Sequence, residues 1–220
     1  MFEAIDIYCE RCGPGLFAEP LNALSNCAFF FAAAAALTLA HRRRTLDAGV
    51  WVLVILAIAI GIGSTLFHTF AVGWAQVLDV VPILLFQLVF LWLYLWRIVK
   101  LRPLVATAWV AAFLGIALVA RQFKEPLNGS LTYAPALLTV IALAVYHFLY
   151  CQQERPALLG AVAAFALAFF FRSIDMLVCP TFPWGTHFLW HMFIATALYL
   201  SARALIVNQP VQAKANEGTV

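Results

Sequence analysis

The sequence predicts an all-α membrane protein: a seven-transmembrane helix bundle with its N-terminus outside or lumenal and its C-terminus cytoplasmic. Three observations predict it. Of 220 residues, 65% are hydrophobic and only 10% charged, with mean hydropathy +0.95; a soluble domain carries about 25% charged residues. Apolar stretches of about twenty residues recur along the whole length, each long enough to cross roughly 30 Å of hydrocarbon. Lys and Arg also gather in alternate links, as they do in proteins threaded back and forth through a bilayer.

Charge and proline punctuate the chain into seven spans, about 22–41, 48–67, 76–96, 103–120, 131–150, 157–176 and 184–205. The first stops at "HRRRTLD" and the second runs from there to "FAVGWAQ", which opens the third. "RIVKLRP" separates the third from the fourth, and "RQFKEPLNGS" the fourth from the fifth. "CQQERP" and "CPTFPWG" bound the sixth. The domain reading is an acidic extracytoplasmic segment 1–21, a seven-span helical domain 22–205 and a polar cytoplasmic tail 206–220. The first twenty residues hold acids, two cysteines and prolines rather than a basic start and apolar core, so no cleavable signal is expected. With an odd number of spans the termini face opposite sides. The C-terminal side owns Arg42, Arg43, Arg44, Arg97, Lys100, Arg102, Arg155, Arg203 and Lys214, against Arg11, Arg121 and Lys124 on the other. That excess places the C-terminus in the cytoplasm.

This topology brings polar residues to one depth. The second span climbs outward through "GSTLFHTF" and ends with Ser64 and His68. Asp79 lies about one turn inside the third, and "PWGTHFLWHMF" puts His187 and His191 at the start of the seventh. A spacing of four sets each pair on one helical face. Ionisable groups inside a bilayer are costly, so their convergence points to function. Three neutral imidazoles with an open fourth position describe a catalytic zinc site. Zinc lowers the pKa of a bound water to about 7 and makes a nucleophile for a carbonyl. Asp79 could take that water's proton or orient an imidazole, and Ser64 could donate to the developing oxyanion. The competing reading is bland: a membrane histidine is often only a hydrogen-bonding partner between helices. Axial haem ligation fits poorly, because two of the histidines share a face.

"STLFH", then Asp79 eleven residues after His68, then "HFLWH" in the last span, together with "YCE", "AEPLNALSN" and "FRSIDMLVC", resemble the alkaline ceramidases. These belong to a superfamily of seven-span metal hydrolases that also includes the adiponectin and progestin receptors. The resemblance covers almost the whole chain. It implies that His68, His187 and His191 ligate zinc, with Ser64 and Asp79 assisting. It implies a calcium ion at the outer end, held by Glu10, Glu19, the Tyr8 carbonyl and Asp6; the alternative is an acidic, solvated head. Here the chain departs from the family: Asp6 is displaced by one position, Cys12 replaces an asparagine and the stretch between the glutamates is shorter. The resemblance further implies a disulfide between Cys9 and Cys179. Cys27 is expected to be buried and Cys151 to face the cytoplasm, both as packing residues. His41 and His147 read as ordinary interfacial histidines. Arg172 stands where the family carries tryptophan; it and Asp175 read as an internal ion pair, although Asp175 could brace the site. Trp74, Trp184 and Trp190 suit an outer aromatic belt, and Trp190 is expected to line the substrate cavity.

The function expected is a zinc-dependent intramembrane amidase that cleaves the N-acyl bond of ceramide-type lipids. Alternatives are a hydrolase of another acyl lipid, and a non-catalytic lipid receptor with structural zinc. The expected partners are a lipid substrate and the bilayer, with no nucleic acid or protein partner. The setting is a bacterial cytoplasmic membrane or an organelle membrane of the endoplasmic reticulum or Golgi type.

Overall fold

The computed structural model describes residues 3–13, 15–123 and 126–209. Lys124, Lys214 and the tail from 210 onward, all used in the topology reading, lie outside them. Eight α-helices follow in order: α1 Pro20–Ser25, α2 Cys27–Arg43, α3 Ala48–Phe70, α4 Gly73–Arg97, α5 Pro103–Ala120, α6 Ala134–Tyr150, α7 Ala157–Val178 and α8 His187–Asn208. A 3-10 segment, Pro126–Tyr133, leads into α6. α1 and α2 share one span, interrupted at Asn26, whose Nδ2 donates to the Asn22 carbonyl at 3.0 Å. The result is seven helical segments long and apolar enough to cross a membrane, with no strand among the described residues. Their bounds lie within a few residues of the expected ones.

Local chemistry sets the ends. Asp47 caps α3 by accepting from Val50 N at 3.0 Å, satisfying one of the free amides of its first turn. The other Asp47 oxygen accepts from Arg97 at 2.6 Å, and Arg97 also reaches Gln209 at 2.8 Å. These contacts knot the ends of α3, α4 and α8 at the far end of the bundle from His68. Pro103 opens α5 at a position where a missing N–H costs nothing.

Two features fix how the helices meet. α8 is the most enclosed of the seven segments and packs on α1, α2, α3, α4 and α7. Side chains in its first turns therefore point into the core rather than to lipid. α3 and α4 run against each other with only Ala71 and Val72 between them. Pro82 in α4 has no N–H to give to the Leu78 carbonyl one turn back. Gly63 of α3 sits on that carbonyl so closely that a Cβ would lie 2.0 Å from the Leu78 oxygen. Small residues allow this approach between membrane helices. It sets Ser64 of α3 opposite Asp79 of α4.

The N-terminal segment crosses this end of the bundle. Ile5 N donates to the Ala71 carbonyl at 2.8 Å, and Ala4 forms an isolated bridge with Val72. Cys9 is disulfide-bonded to Cys179, with Cα atoms 5.4 Å apart.

Candidate metal centre

His68, His187 and His191 are buried, and one ring nitrogen from each lies within 4.8 Å of the others. Their tautomers follow from the surrounding groups. His191 Nδ1 is 2.7 Å from Ser25 Oγ, and the Ser25 hydroxyl spends its only proton on the Asn22 carbonyl at 2.8 Å. Ser25 must therefore accept, and His191 Nδ1 must carry the proton. His68 Nδ1 is 2.5 Å from Glu19 Oε2. Burial alone would raise the Glu19 carboxyl, but hydrogen bonds from His68, Asn22 and Arg11 outweigh it and hold it below the usual carboxylate range. A carboxylate only accepts, so His68 Nδ1 also carries a proton.

Both Nε2 atoms are then bare, and they face each other at 3.1 Å. Two lone pairs this close repel unless a cation lies between them. His187 adds a third donor. Its Nδ1 is buried without a hydrogen-bond partner among the described residues, and its ring stacks on Tyr8 with centroids 3.7 Å apart. The three imidazoles suit a metal ion.

The other site candidates surround this group. Ser64 is buried, with its Oγ 3.4 Å from His191 Nε2. Asp79 is half-buried and faces Ser64, His68 and Arg172. Trp190 is buried, packs on Tyr133 at 4.6 Å and borders an apolar cavity with Phe86 and Phe165. That cavity is narrow, about 50 Å³. It shares Leu91, Phe113, Thr139 and Leu143 with a wider one of about 590 Å³ between α4, α5 and α6. Apolar space thus runs from Trp190 outward between α4, α5 and α6.

The residues expected to hold calcium meet other groups. Asp6 is exposed. The Tyr8 carbonyl accepts from Arg11 N at 3.2 Å. Both Glu10 oxygens are taken by the first amides of α1, Leu21 N at 2.6 Å and Asn22 N at 2.8 Å. Glu19 is taken by His68, Asn22 and Arg11, whose Nε lies 2.5 Å from Oε1. The same guanidinium reaches the Gly13 and His68 carbonyls at 3.2 Å each. The Arg11 guanidinium thus pairs with one of the carboxylates expected to hold calcium.

Two smaller expectations change as well. Arg172 and Asp175 form no ion pair. Arg172 Nη1 donates to the Tyr8 hydroxyl at 2.8 Å. Asp175 caps α8 instead, accepting from Thr186 N at 2.7 Å and His187 N at 2.9 Å, while its second oxygen takes Cys9 N at 3.0 Å. Gly185 makes room for this: at φ +62° its hypothetical Cβ would lie 2.3 Å from the carboxylate. Cys27 is exposed rather than buried, since the outer face of α2 looks away from the bundle. His147 is fully buried, with Nδ1 2.8 Å from the Tyr94 hydroxyl.

Sequence reasoning missed the supporting residues Ser25, Arg11 and the imidazole-facing role of Glu19. The available signal was weak: Asn22, Ser25 and Asn26 are polar residues one turn apart in an otherwise apolar span.

No curated protein matches the chain. A family model described as Ceramidase matches residues 9–219, nearly its full length.

Proposed function

The chain belongs to the ceramidase family, and from that premise we propose that it is a zinc-dependent intramembrane amidase hydrolysing the N-acyl bond of ceramide-type lipids. One observation carries the reading: two imidazole lone pairs, bared by fixed tautomers, converge at 3.1 Å beside a third unpartnered histidine. Tetrahedral zinc with bonds of about 2.0–2.1 Å to nitrogen separates its ligands by about 3.3 Å. All-nitrogen donors with no thiolate suit zinc.

His68, His187 and His191 hold the ion, which when bound supplies a Lewis acid and an acidified water. Glu19 and Ser25 lock the rings of His68 and His191 through their outer nitrogens. Ser64 donates its hydroxyl to the oxyanion that develops on the amide carbonyl. Asp79 takes a proton from the attacking water and passes it to the departing amine nitrogen. Trp190, Tyr133 and the cavity beyond them receive an acyl chain and keep bulk water out. The excess of Lys and Arg on the side of the C-terminus supports an outer or lumenal position for this centre.

Zinc content measured beside release of fatty acid from labelled ceramide, with and without a chelator, tests the proposal. Stoichiometric zinc and chelator-sensitive release are expected. A metal-free protein that still cleaves ceramide would refute it. Phospholipid in place of ceramide tests for another acyl substrate. His187→Ala abolishes turnover in an enzyme while lipid binding survives.

A further inference from the structure

We propose that a polar cavity beside the metal centre receives an oxyanion carried on the lipid headgroup, so that the preferred substrate is an N-acyl lipid bearing a phosphate-class group. The inference rests on the N-acyl hydrolase reading and narrows its substrate. The cavity, of about 270 Å³, is lined by Arg121, Arg172, Gln76, Asn128 and Thr132, with no carboxylate in its wall. All five of these side chains can donate hydrogen bonds.

Arg172 is the telling member. It is 91% buried, being 9% exposed, at a depth where an unneutralised cation is costly and marks function. Among the described residues it has no salt bridge, and its Nε has no hydrogen-bond partner. Asp79 faces it without closing an ion pair. Three rings hold the guanidinium instead: Tyr8 at 5.4 Å, Tyr133 at 5.5 Å and Trp190 at 5.4 Å. Cation–π contacts stabilise a positive charge without cancelling it, so the cavity keeps its positive character. The Asn128 side chain ties the 3-10 segment to the Arg172 carbonyl at 3.2 Å and fixes the opposite wall. Arg121, exposed at the end of α5, adds a second guanidinium at the mouth. Guanidinium groups match the oxygens of phosphate in pairs.

Position makes this a headgroup pocket. Tyr133 lines both this cavity and the apolar one. The Tyr8 hydroxyl accepts from Arg172 while its ring stacks on His187. A lipid whose amide sits at the histidines therefore has apolar space on one side and cationic space on the other.

The test uses the full chain in mixed micelles with zinc and two matched ceramides, one phosphorylated on its headgroup hydroxyl. A kcat/KM ratio favouring the phosphorylated lipid by roughly tenfold or more is expected, the scale of one charge-assisted hydrogen bond. Arg121→Gln should cut that ratio several-fold. Arg172→Lys, which keeps the charge but loses the fork, should raise KM for the phosphorylated lipid more than it changes kcat. A wild-type ratio of one or below, or a ratio untouched by Arg121→Gln, overturns the proposal. Inorganic phosphate should compete with the phosphorylated lipid alone. Equal inhibition with both lipids would make this a free-anion site and overturn the headgroup assignment. If neither lipid is cleaved, the amidase reading fails by itself, and retention of the two labelled lipids decides the pocket. Tighter retention of the phosphorylated lipid, weakened by Arg121→Gln, supports it, whereas equal retention refutes it.

Discussion

Glu19→Gln tests the logic of the metal centre most directly. The Glu19 carboxylate accepts from three donors: His68 Nδ1 at 2.5 Å, Arg11 Nε at 2.5 Å and Asn22 Nδ2 at 3.1 Å. A carboxamide of the same shape has one oxygen and one NH₂, so whichever way it turns, its NH₂ opposes an N–H. If it faces His68, the imidazole loses the group that fixes its tautomer. If it faces Arg11, two N–H groups oppose each other, and in either orientation the buried guanidinium loses its counter-charge. Breaking one side of a buried pair costs about 3–5 kcal/mol, a large share of a fold stable by about 5–15 kcal/mol. Loss of a residue that orients a ligand weakens metal binding by about 10–100-fold, or about 1.4–2.7 kcal/mol. The two effects separate in a double variant. Arg11→Gln combined with Glu19→Gln removes the stranded charge, so thermal stability recovers while metal affinity does not. The assay is chelator titration of zinc-loaded protein in detergent, followed by metal content and thermal unfolding. A folded Glu19→Gln protein that keeps zinc to the same chelator concentration as wild type would show that Glu19 does not govern His68.

Other expectations follow from the same contacts. Gly63→Ala places a methyl carbon 2.0 Å from the Leu78 oxygen, so α3 and α4 must separate; about 1–3 kcal/mol of stability and most turnover should be lost, and a wild-type melting curve would contradict the close approach. Because Arg11 occupies the acidic head, calcium chelation should leave thermal stability unchanged, whereas Arg11→Gln should cost about 3–5 kcal/mol; stabilisation of the wild type by added calcium would reverse that assignment. Cys9→Ser removes a cross-link spanning 170 residues, which loop-closure estimates put at about 5 kcal/mol; unfolding in detergent measures the loss, and an unchanged midpoint would show that Asp175 and Arg11 hold the segment without it.

The seven spans were legible because length and apolarity decide them, and Asp47, Pro103 and the arginine clusters mark their ends in the sequence itself. His68, His187 and His191 were legible as a group because a spacing of four is a property of one helix, while topology brings two helix ends to one depth. Ser25 was not. Its contact with His191 joins the first span to the last, and no local pattern announces it. The contacts of the acidic head were not legible because they lie in the neighbour: "CERC" places Arg11 beside Glu10, but the fold alone swings that guanidinium onto Glu19. The supposed ion pair of Arg172 and Asp175 failed for a related reason. A spacing of three permits contact, yet Asp175 finds two backbone amides at the head of α8 and that of Cys9, and Arg172 finds a phenol and three rings.

These substitutions share one physical pattern. Segment 3–13 lies across the metal centre and is fastened to each helix that supplies it. The disulfide and Asp175 tie Cys9 to α7 and to the start of α8. Arg11 ties it to Glu19 and to the end of α3, through the His68 carbonyl. Tyr8 lays its ring against His187 and beside His68, with centroids 3.7 Å and 5.2 Å away, and burial pushes its phenol well above the ordinary range, so it stays neutral. Three separate kinds of bond therefore hold a segment with almost no secondary structure of its own. Bulk water must be kept from the buried imidazoles at this end of the bundle. α3 ends at Phe70, two residues past His68, and does not wall off the site by itself. The strap supplies the missing wall, and its buried arginine lets it do so with the chain's own charge.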